Sequence, residues 1–220
     1  MTLLWLLPFF DYASVAVFAL TGALVASRAQ LDVVGFIFIA SLTATGGGTL
    51  RDVLLDRAVF WIVDPWMLGV ATLAAVVVFL TAHLLESRYR ALLWLDACAL
   101  AVAVPAGVAA AMGVGMGWPV VLIMGMVTGC MGGLLRDVVC NEVPLVLKQG
   151  ELYVTCAFAG ALAAILAVQL GATGGPELLA CAVVTLVLRA GSLLFGWRLP
   201  VYRPRPARTL PPPRQDLHDK

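Results

Sequence analysis

The sequence is poor in charged residues, which make up only 12% of its 220 positions. A soluble domain carries roughly 25% charged and roughly 45–50% apolar residues, whereas 62% of this chain is hydrophobic. A core of this size cannot bury that excess, because a compact soluble domain also needs a polar surface. The composition therefore predicts an integral membrane protein.

The chain also has little of what enzymes and metal sites use. It contains two histidines, His83 and His218, so we expect no histidine cluster and no histidine-activated nucleophile. Its five cysteines fall in or beside apolar segments, without metal-ligand spacing or a disulfide framework, and are predicted to be small packing residues. We therefore expect no enzyme activity, no cofactor and no structural metal. The net charge of +1, without a basic patch interleaved with aromatics, argues against a nucleic-acid partner.

Long apolar runs dominate what is present. A bilayer core of about 30 Å requires about 20 helical residues, and seven segments meet this requirement. They cover residues 9–27, 33–50 with an extension to about 60, 65–84, 91–112, 118–140, 152–171 and 177–197. The predicted fold class is an all-α integral membrane protein with seven transmembrane helices.

Lysine and arginine are distributed unevenly between the two sides of the predicted bundle. The loops after spans 1, 3 and 5 contribute Arg28, Arg88, Arg90 and Lys148, and the tail contributes six more, whereas the opposite loops contain only Arg57. Cytoplasmic loops carry the excess of positive charge, so the N-terminus is predicted outside and the C-terminus in the cytoplasm. The basic, proline-rich tail, residues 199–220, is predicted to be disordered.

One stretch of the sequence occurs twice. TATGGGTLRDVLLDR at 43–57 aligns with TGCMGGLLRDVVCNE at 128–142, and the same ungapped offset of 85 pairs Asp11 with Asp96. This predicts a duplication, with a first three-helix repeat (1–86), a second (87–172), a seventh helix (173–198) and the tail. Three spans per repeat is an odd number, so the second repeat is predicted to be inverted, with a functional site at the repeat interface.

The repeated motif places glycines inside apolar helices, at Gly46, Gly47, Gly48, Gly132 and Gly133. Each costs about 1 kcal/mol relative to alanine in a helix interior. We predict that they break or kink spans 2 and 5 and so free backbone carbonyls for a cation. The alternative is tight helix packing through small residues.

The motif also places an Arg-Asp pair in each repeat, at a depth where a charge costs about 2.5–3.5 kcal/mol. We hypothesise that Arg51 pairs with Asp137, and Arg136 with Asp52, across the repeat interface. The alternative is that these side chains extend to the headgroups at the helix ends.

Other charged residues lie near the predicted membrane boundaries. Asp11 and Asp96 begin spans 1 and 4 and are interpreted either as helix-start carboxylates or as residues at the mouth of a pathway. Lys148 is a candidate contact for anionic lipid headgroups, and Tyr153 is predicted to be an aromatic residue at the membrane interface. Arg189, deep in the last span, is predicted to extend to an interface or to pair with a neighbour.

Two Gly-Gly-x-x-Arg-Asp motifs in a seven-span chain of this length resemble the prokaryotic homologues of the trimeric intracellular cation (TRIC) channels, some of which are labelled glycine transporters. The resemblance covers residues 9–197. It implies a homotrimer in a prokaryotic inner membrane, with one pore per subunit and helices kinked at the glycine clusters. It also implies permeant monovalent cations, K⁺ and Na⁺. The lysine motif of the animal channels has no clear match here, so phosphoinositide regulation is not implied.

Three functions are consistent with these residues. In the first, a cation channel, the hydroxyls of Thr43, Thr45 and Thr128 replace part of the ion's hydration, and the Arg-Asp pairs set the local field. The second is a secondary transporter, in which the same charges hold a small zwitterion such as glycine. The third is a structural protein with a sealed bundle.

Overall fold

The computed structural model describes residues 7–84, 87–148 and 152–200, and these ranges contain eight α-helices. They are α1 (Leu7–Arg28), α2 (Val33–Leu54), α3 (Phe60–Val63), α4 (Trp66–Thr81), α5 (Arg88–Gly113), α6 (Trp118–Val139), α7 (Val154–Gln169) and α8 (Pro176–Phe195). The predicted disordered tail lies outside the described residues from position 201 onward.

All seven predicted spans correspond to helices, and the protein is membrane-embedded. Five of these helices are long and apolar enough to cross a bilayer, and so is α4 together with the 3₁₀ turn that extends it to Leu84. Helix α7 has only 16 residues, which is about 24 Å of helix. The predicted extension of the second span to residue 60 is wrong, because α2 ends at Leu54 and the separate short helix α3 follows. Within the described ranges, every regular element is helical.

Helices α1 and α5 form the centre of the bundle. They are the most buried of the long helices, with 61% and 67% of their apolar windows inside the protein. One apolar cluster joins α1, α2 and α4, a second joins α6, α7 and α8, and residues of α5 belong to both. The two groups of helices therefore share α5 as a common wall.

Helices α2 and α6 cross in direct backbone contact at equivalent glycines. A Cβ added to Gly47 would lie 2.3 Å from the carbonyl oxygen of Thr128, and one added to Gly132 would lie 2.4 Å from that of Thr43. These two contacts are related by the offset of 85, so the duplicated motif forms both sides of the crossing.

The helices are not broken at these glycines. Both α2 and α6 run as continuous α-helices through the glycine clusters, so the predicted break is wrong. The backbone contacts at Gly47 and Gly132 match the alternative, close helix packing, since any side chain there would push the helices apart. A bend of the helix axis without a break stays a prediction.

The two motif helices also end alike. The N–H of Arg57 donates to the carbonyl of Asp52 at 2.8 Å, and that of Glu142 to the carbonyl of Asp137 at 2.8 Å. Each turn contains a left-handed residue, Asp56 (φ 51°) or Asn141 (φ 54°), and Asp and Asn are the side chains that tolerate this conformation best after glycine. The chain therefore leaves α2 and α6 along equivalent paths.

Candidate functional site

The first Arg-Asp centre is built from α1 and α2. The fully buried guanidinium of Arg51 donates from Nη1 to Asp11 Oδ1 at 2.8 Å. It also donates from Nε to Asp52 Oδ1 at 2.8 Å and from Nη2 to Asp52 Oδ2 at 3.1 Å. Two carboxylates therefore neutralise one buried cation, and hydrogen-bonded pairing of this kind is what a charge requires away from water.

The second centre repeats this arrangement on α5 and α6. Arg136, also fully buried, donates from Nη1 to Asp96 Oδ1 at 2.9 Å and from Nε to Asp137 Oδ1 at 2.7 Å. The partner on the neighbouring helix precedes the arginine by 40 residues in both centres. The two halves of the chain therefore make the same ion pairs independently.

The hypothesis of pairing across the repeats, Arg51 with Asp137 and Arg136 with Asp52, is wrong. Each arginine is held by the aspartate next to it and by one on the preceding long helix of its own half. The flexible arginine side chain bends back to its neighbour, which overcomes the angular separation of consecutive helical residues. Extension to the headgroups is wrong as well, because both guanidinium groups are buried.

Each motif aspartate also holds the loop that follows its helix. Asp52 Oδ2 accepts the backbone N–H of Phe60 at 3.0 Å, and Asp137 Oδ2 accepts that of Leu145 at 2.9 Å. The separation is eight residues in both cases. The carboxylate thus connects the arginine to the chain segment beside it.

An aromatic side chain borders each centre, and sequence reasoning missed both. The Phe60 ring lies 5.4 Å from Arg51 Cζ in the first centre. In the second, a Cβ built on Gly133 would lie 3.3 Å from the Tyr153 hydroxyl and 3.5 Å from Arg136 Nη2, and the Tyr153 ring also lies 5.0 Å from the Cζ of the buried Arg189. Tyr153 was expected at the membrane interface, but it is only 2% exposed. The offset of 85 carried a usable signal for the aspartate partners, because it pairs Asp11 with Asp96 as well as the arginines, but no comparable signal marked the aromatics.

Two adjoining cavities lie beside the first centre. The larger, here called the vestibule, has a volume of about 500 Å³ and is lined by Pro8, Asp11, Arg57, Ala58, Phe60, Val63, Asp64 and Met67. The smaller, here called the inner cavity, has a volume of about 10 Å³ and is lined by Asp11, Ser14, Phe18, Thr43, Ala44, Gly47, Gly48, Arg51, Phe60, Ala103 and Thr128. Asp11 and Phe60 belong to both linings, so the two spaces adjoin at these side chains.

Two of the three predicted threonines meet at the inner cavity. The hydroxyls of Thr43 and Thr128 donate to the carbonyls of Ile39 and Met124 at 2.6 and 2.7 Å, so their oxygens keep acceptor capacity. Thr45 and Gly46 lie elsewhere, in an apolar groove of about 480 Å³ that also contains Leu135. The structure therefore divides the predicted motif residues between two surfaces.

The other predicted charged residues also lie in different surroundings. Asp96 is fully buried in the second centre, whereas Asp11, in the first, also lines the vestibule. Lys148 donates to the hydroxyl of Tyr89 and lies 4.7 Å from its ring centroid. The part of the chain that the structure describes contains no group of three or more metal-ligating side chains.

Comparison with known proteins gives matches over most of the chain. The family model described as "Glycine transporter" matches twice, at residues 8–83 and 93–169, so its two starts lie 85 residues apart. A "UPF0126 membrane protein" of Vibrio cholerae is 37% identical and covers 90% of this chain and 83% of its own. The "UPF0126 inner membrane protein YadS" of Escherichia coli K12 is 35% identical, with 87% and 94% covered.

Solved structures agree with these matches. The TRIC trimeric intracellular cation channel orthologue of Rhodobacter sphaeroides is 38% identical, with a TM-score of 0.84, and the match covers 87% of this chain and 98% of that one. A second TRIC cation channel structure is 29% identical, with a TM-score of 0.80 and 91% and 98% covered. Since both halves match the family model and the fold is that of these channels, the chain belongs to the glycine transporter family of TRIC-type membrane proteins.

Proposed function

We propose that the protein is a channel for monovalent cations, K⁺ and Na⁺, with one pathway per subunit between its two repeated halves. The observation that carries the proposal is that the vestibule and the inner cavity adjoin at Asp11 and Phe60. From there the inner cavity reaches Thr43 and Thr128, beside the crossing of α2 and α6. The TRIC structures similar to this chain are named cation channels, which supports the same function here.

The charges along this route favour a cation. Asp11 and Asp64 line the vestibule together with a single guanidinium, that of Arg57. At the inner end, Arg51 is neutralised by two hydrogen-bonded carboxylates, so its charge does not stand alone against an entering cation. A cleft with an excess of carboxylates concentrates cations and repels anions.

Opening of the route requires movement at the α2–α6 crossing. A cavity of about 10 Å³ accommodates about one water molecule, which is too little for a hydrated ion. A bend of α2 and α6 at their glycines would separate the helices beside Thr43 and Thr128. Their hydroxyl groups donate to carbonyls of the preceding turns, and the oxygen atoms would then replace part of the hydration shell.

The proposed arrangement in the membrane is an inverted repeat within a homotrimer. Equal ion pairs and equal helix ends in the two halves support a duplicated unit, and three spans per unit require the second to cross in the opposite sense. The distribution of lysine and arginine supports an N-terminus outside and a C-terminus in the cytoplasm of an inner membrane. The trimer is supported by the similar Rhodobacter protein, which is described as a trimeric intracellular cation channel orthologue.

Currents across a planar bilayer test the proposal. Purified protein under a KCl gradient is expected to give unitary currents that reverse near the K⁺ equilibrium potential. Asp64→Asn, which removes a vestibule charge, is expected to lower the conductance at low salt. Asp56→Asn is the matched control, because it removes an exposed carboxylate nearby that does not line the vestibule. Silent bilayers, or reversal near the chloride potential, would contradict a cation channel.

The second candidate function is transport of a small zwitterion such as glycine. The observation that favours it is the buried Nη1 of Arg57, which has no hydrogen-bond partner among the described residues and belongs to a vestibule that also contains Asp11 and Asp64. A guanidinium and a carboxylate suit a ligand with one carboxylate and one amine. Saturable glycine uptake into proteoliposomes that is lost in Arg57→Gln, together with silent bilayers, would establish this function instead.

A further inference from the structure

The second Arg-Asp centre contains three buried polar atoms that have no hydrogen-bond partner in the described part of the protein. They are Asp96 Oδ2, Arg136 Nη2 and the hydroxyl oxygen of Tyr153. Their residues are nearly or fully removed from solvent, with exposures of 0%, 0% and 2%. Buried polar atoms in native proteins almost always have a partner, so three in one place require an explanation.

The three side chains surround the same face of Gly133. A Cβ built on this glycine would lie 3.3 Å from the Tyr153 hydroxyl, 3.5 Å from Arg136 Nη2 and 3.5 Å from Asp96 Oδ1. The absence of a side chain at Gly133 therefore lets a donor, a carboxylate and a hydroxyl approach the same point beside the backbone.

The first centre differs at the arginine and at the glycine. The Nη2 of Arg51 donates to Asp52, whereas the Nη2 of Arg136 has no such bond. A Cβ on Gly48, the equivalent of Gly133, would lie 2.5 Å from the Phe60 ring, so an apolar side chain fills that position.

We propose that the second centre binds one buried water molecule beside Gly133, held by Arg136, Asp96 and Tyr153. A water accepts from Arg136 Nη2, donates to Asp96 Oδ2 and bonds to the Tyr153 hydroxyl, and three bonds are typical of a buried water. A cation in the same place would face the guanidinium, and an anion would face the carboxylate. Only a small neutral donor and acceptor satisfies all three atoms.

This water connects α7 to the ion pair on α5 and α6. Tyr153 immediately precedes α7, and its ring contacts Arg189 of α8. The water would link the Tyr153 hydroxyl to Asp96 and Arg136 by hydrogen bonds. Residues of α5, α6 and α8 and the start of α7 would therefore meet around one bound water. The site does not depend on the proposed channel function, because it follows from the unsatisfied atoms alone.

An experimental density map of the full-length protein at about 2 Å resolution tests the site directly. One isolated peak is expected within about 2.6–3.2 Å of all three atoms. Side chains that bond directly to each other without a peak would overturn the proposal. So would an anomalous signal at this position after exchange of K⁺ for Tl⁺, since that outcome identifies a cation.

Substitutions provide a second readout. Gly133→Ala places a methyl group among the three polar atoms, so the peak is expected to disappear and the melting temperature in detergent to fall by roughly 2–4 °C per lost hydrogen bond. Gly69→Ala is the matched control, because its added Cβ meets nothing closer than 3.9 Å. A Gly133→Ala protein that keeps the peak would overturn the site. If the Gly133→Ala variant does not fold, the density map of the wild-type protein alone tests whether the water is bound.

Discussion

The two halves of the molecule hold their arginines in the same way but differ in what lies next to them. In the first half, Asp11 lines a vestibule of about 500 Å³. In the second half, the equivalent Asp96 is fully buried beside Tyr153. The contacts that fix the backbone are thus shared, whereas the surroundings of the aspartate are not. The duplication preserved the scaffold and let the surroundings of each centre diverge.

The same contrast continues at the starts of the two loops, just after α2 and α6. Arg57 lines the vestibule in the first half. Its equivalent, Glu142, instead forms an ion pair with Arg28 at 3.3 Å, and Arg28 lies 5.0 Å from the centroid of the Tyr89 ring. Lys148 contacts the same ring. Glu142 therefore takes part in side-chain contacts between α1, α5 and the loop, whereas its equivalent Arg57 lines the vestibule.

Separate substitutions of the two motif arginines test the difference between the two centres and have the largest expected effect. Arg136→Met leaves two buried carboxylates without their cation, and loss of one partner of a buried pair costs about 3–5 kcal/mol. Arg51→Met is expected to cost less, because Asp11 borders a cavity and regains hydration there. Thermal unfolding of both variants in the same detergent measures the difference. Equal losses of stability in the two variants would mean that the two centres are equally inaccessible to bulk solvent.

The glycines at the α2–α6 crossing test the shared scaffold. Gly47→Ala and Gly132→Ala are expected to destabilise the protein equally, by about 1–3 kcal/mol or more, since each methyl group would meet a backbone carbonyl. Gly46→Ala is the control, because its Cβ would meet the mobile end of the Leu135 side chain. Chemical or thermal unfolding measures the stability of the three variants. A marked difference between Gly47→Ala and Gly132→Ala would contradict the conclusion that the two glycines make equivalent contacts at the crossing.

Phe60 and Leu145 test the difference in access. Phe60→Ala is expected to join the vestibule to the inner cavity and to raise the open probability or conductance several-fold in bilayers. Leu145→Ala removes the equivalent side chain from the second half and is expected to change the currents little. An equal increase in both variants would show that access is not limited by Phe60.

The contacts of Tyr89 give the smallest expected effect. Tyr89→Ala removes two cation–π contacts at partly exposed cations, each worth about 0.5–1 kcal/mol. The melting temperature in detergent is therefore expected to fall by a few degrees, and Tyr89→Phe, which keeps the ring, is expected to restore most of the loss. A failure of the ring to restore stability would assign the effect to the hydroxyl and Lys148 instead.

The spans and the duplication followed from the sequence, because apolar length and an ungapped offset are properties of the chain itself. The partners of Arg51 and Arg136 did not follow, since they depend on which helix faces which. The offset paired Asp11 with Asp96, but their role as ion-pair partners required the packing of α1 on α2 and of α5 on α6. Tyr153 was misplaced for a similar reason, as a tyrosine at a helix start is equally typical of an interface and of a buried site.

The glycines show a different limit of sequence reasoning. Three consecutive glycines reduce helix propensity, and this favoured a break in α2. The structure retains the helix because tertiary packing compensates, and Gly47 lies where a second backbone takes the place of a side chain. Propensity measures the isolated helix, so it could not distinguish a weak helix from a tightly packed one.

The bond from each motif aspartate to the loop beyond it has a consequence for sequence change. Asp52 and Asp137 each accept an N–H eight residues later, so the number of residues in this segment is set at both ends. Connecting loops ordinarily tolerate insertions and deletions, but a single added residue here would draw the N–H away from its carboxylate. We expect relatives to vary the composition of these two loops while keeping their length, which is how an ungapped offset of 85 persists through two copies that have otherwise diverged.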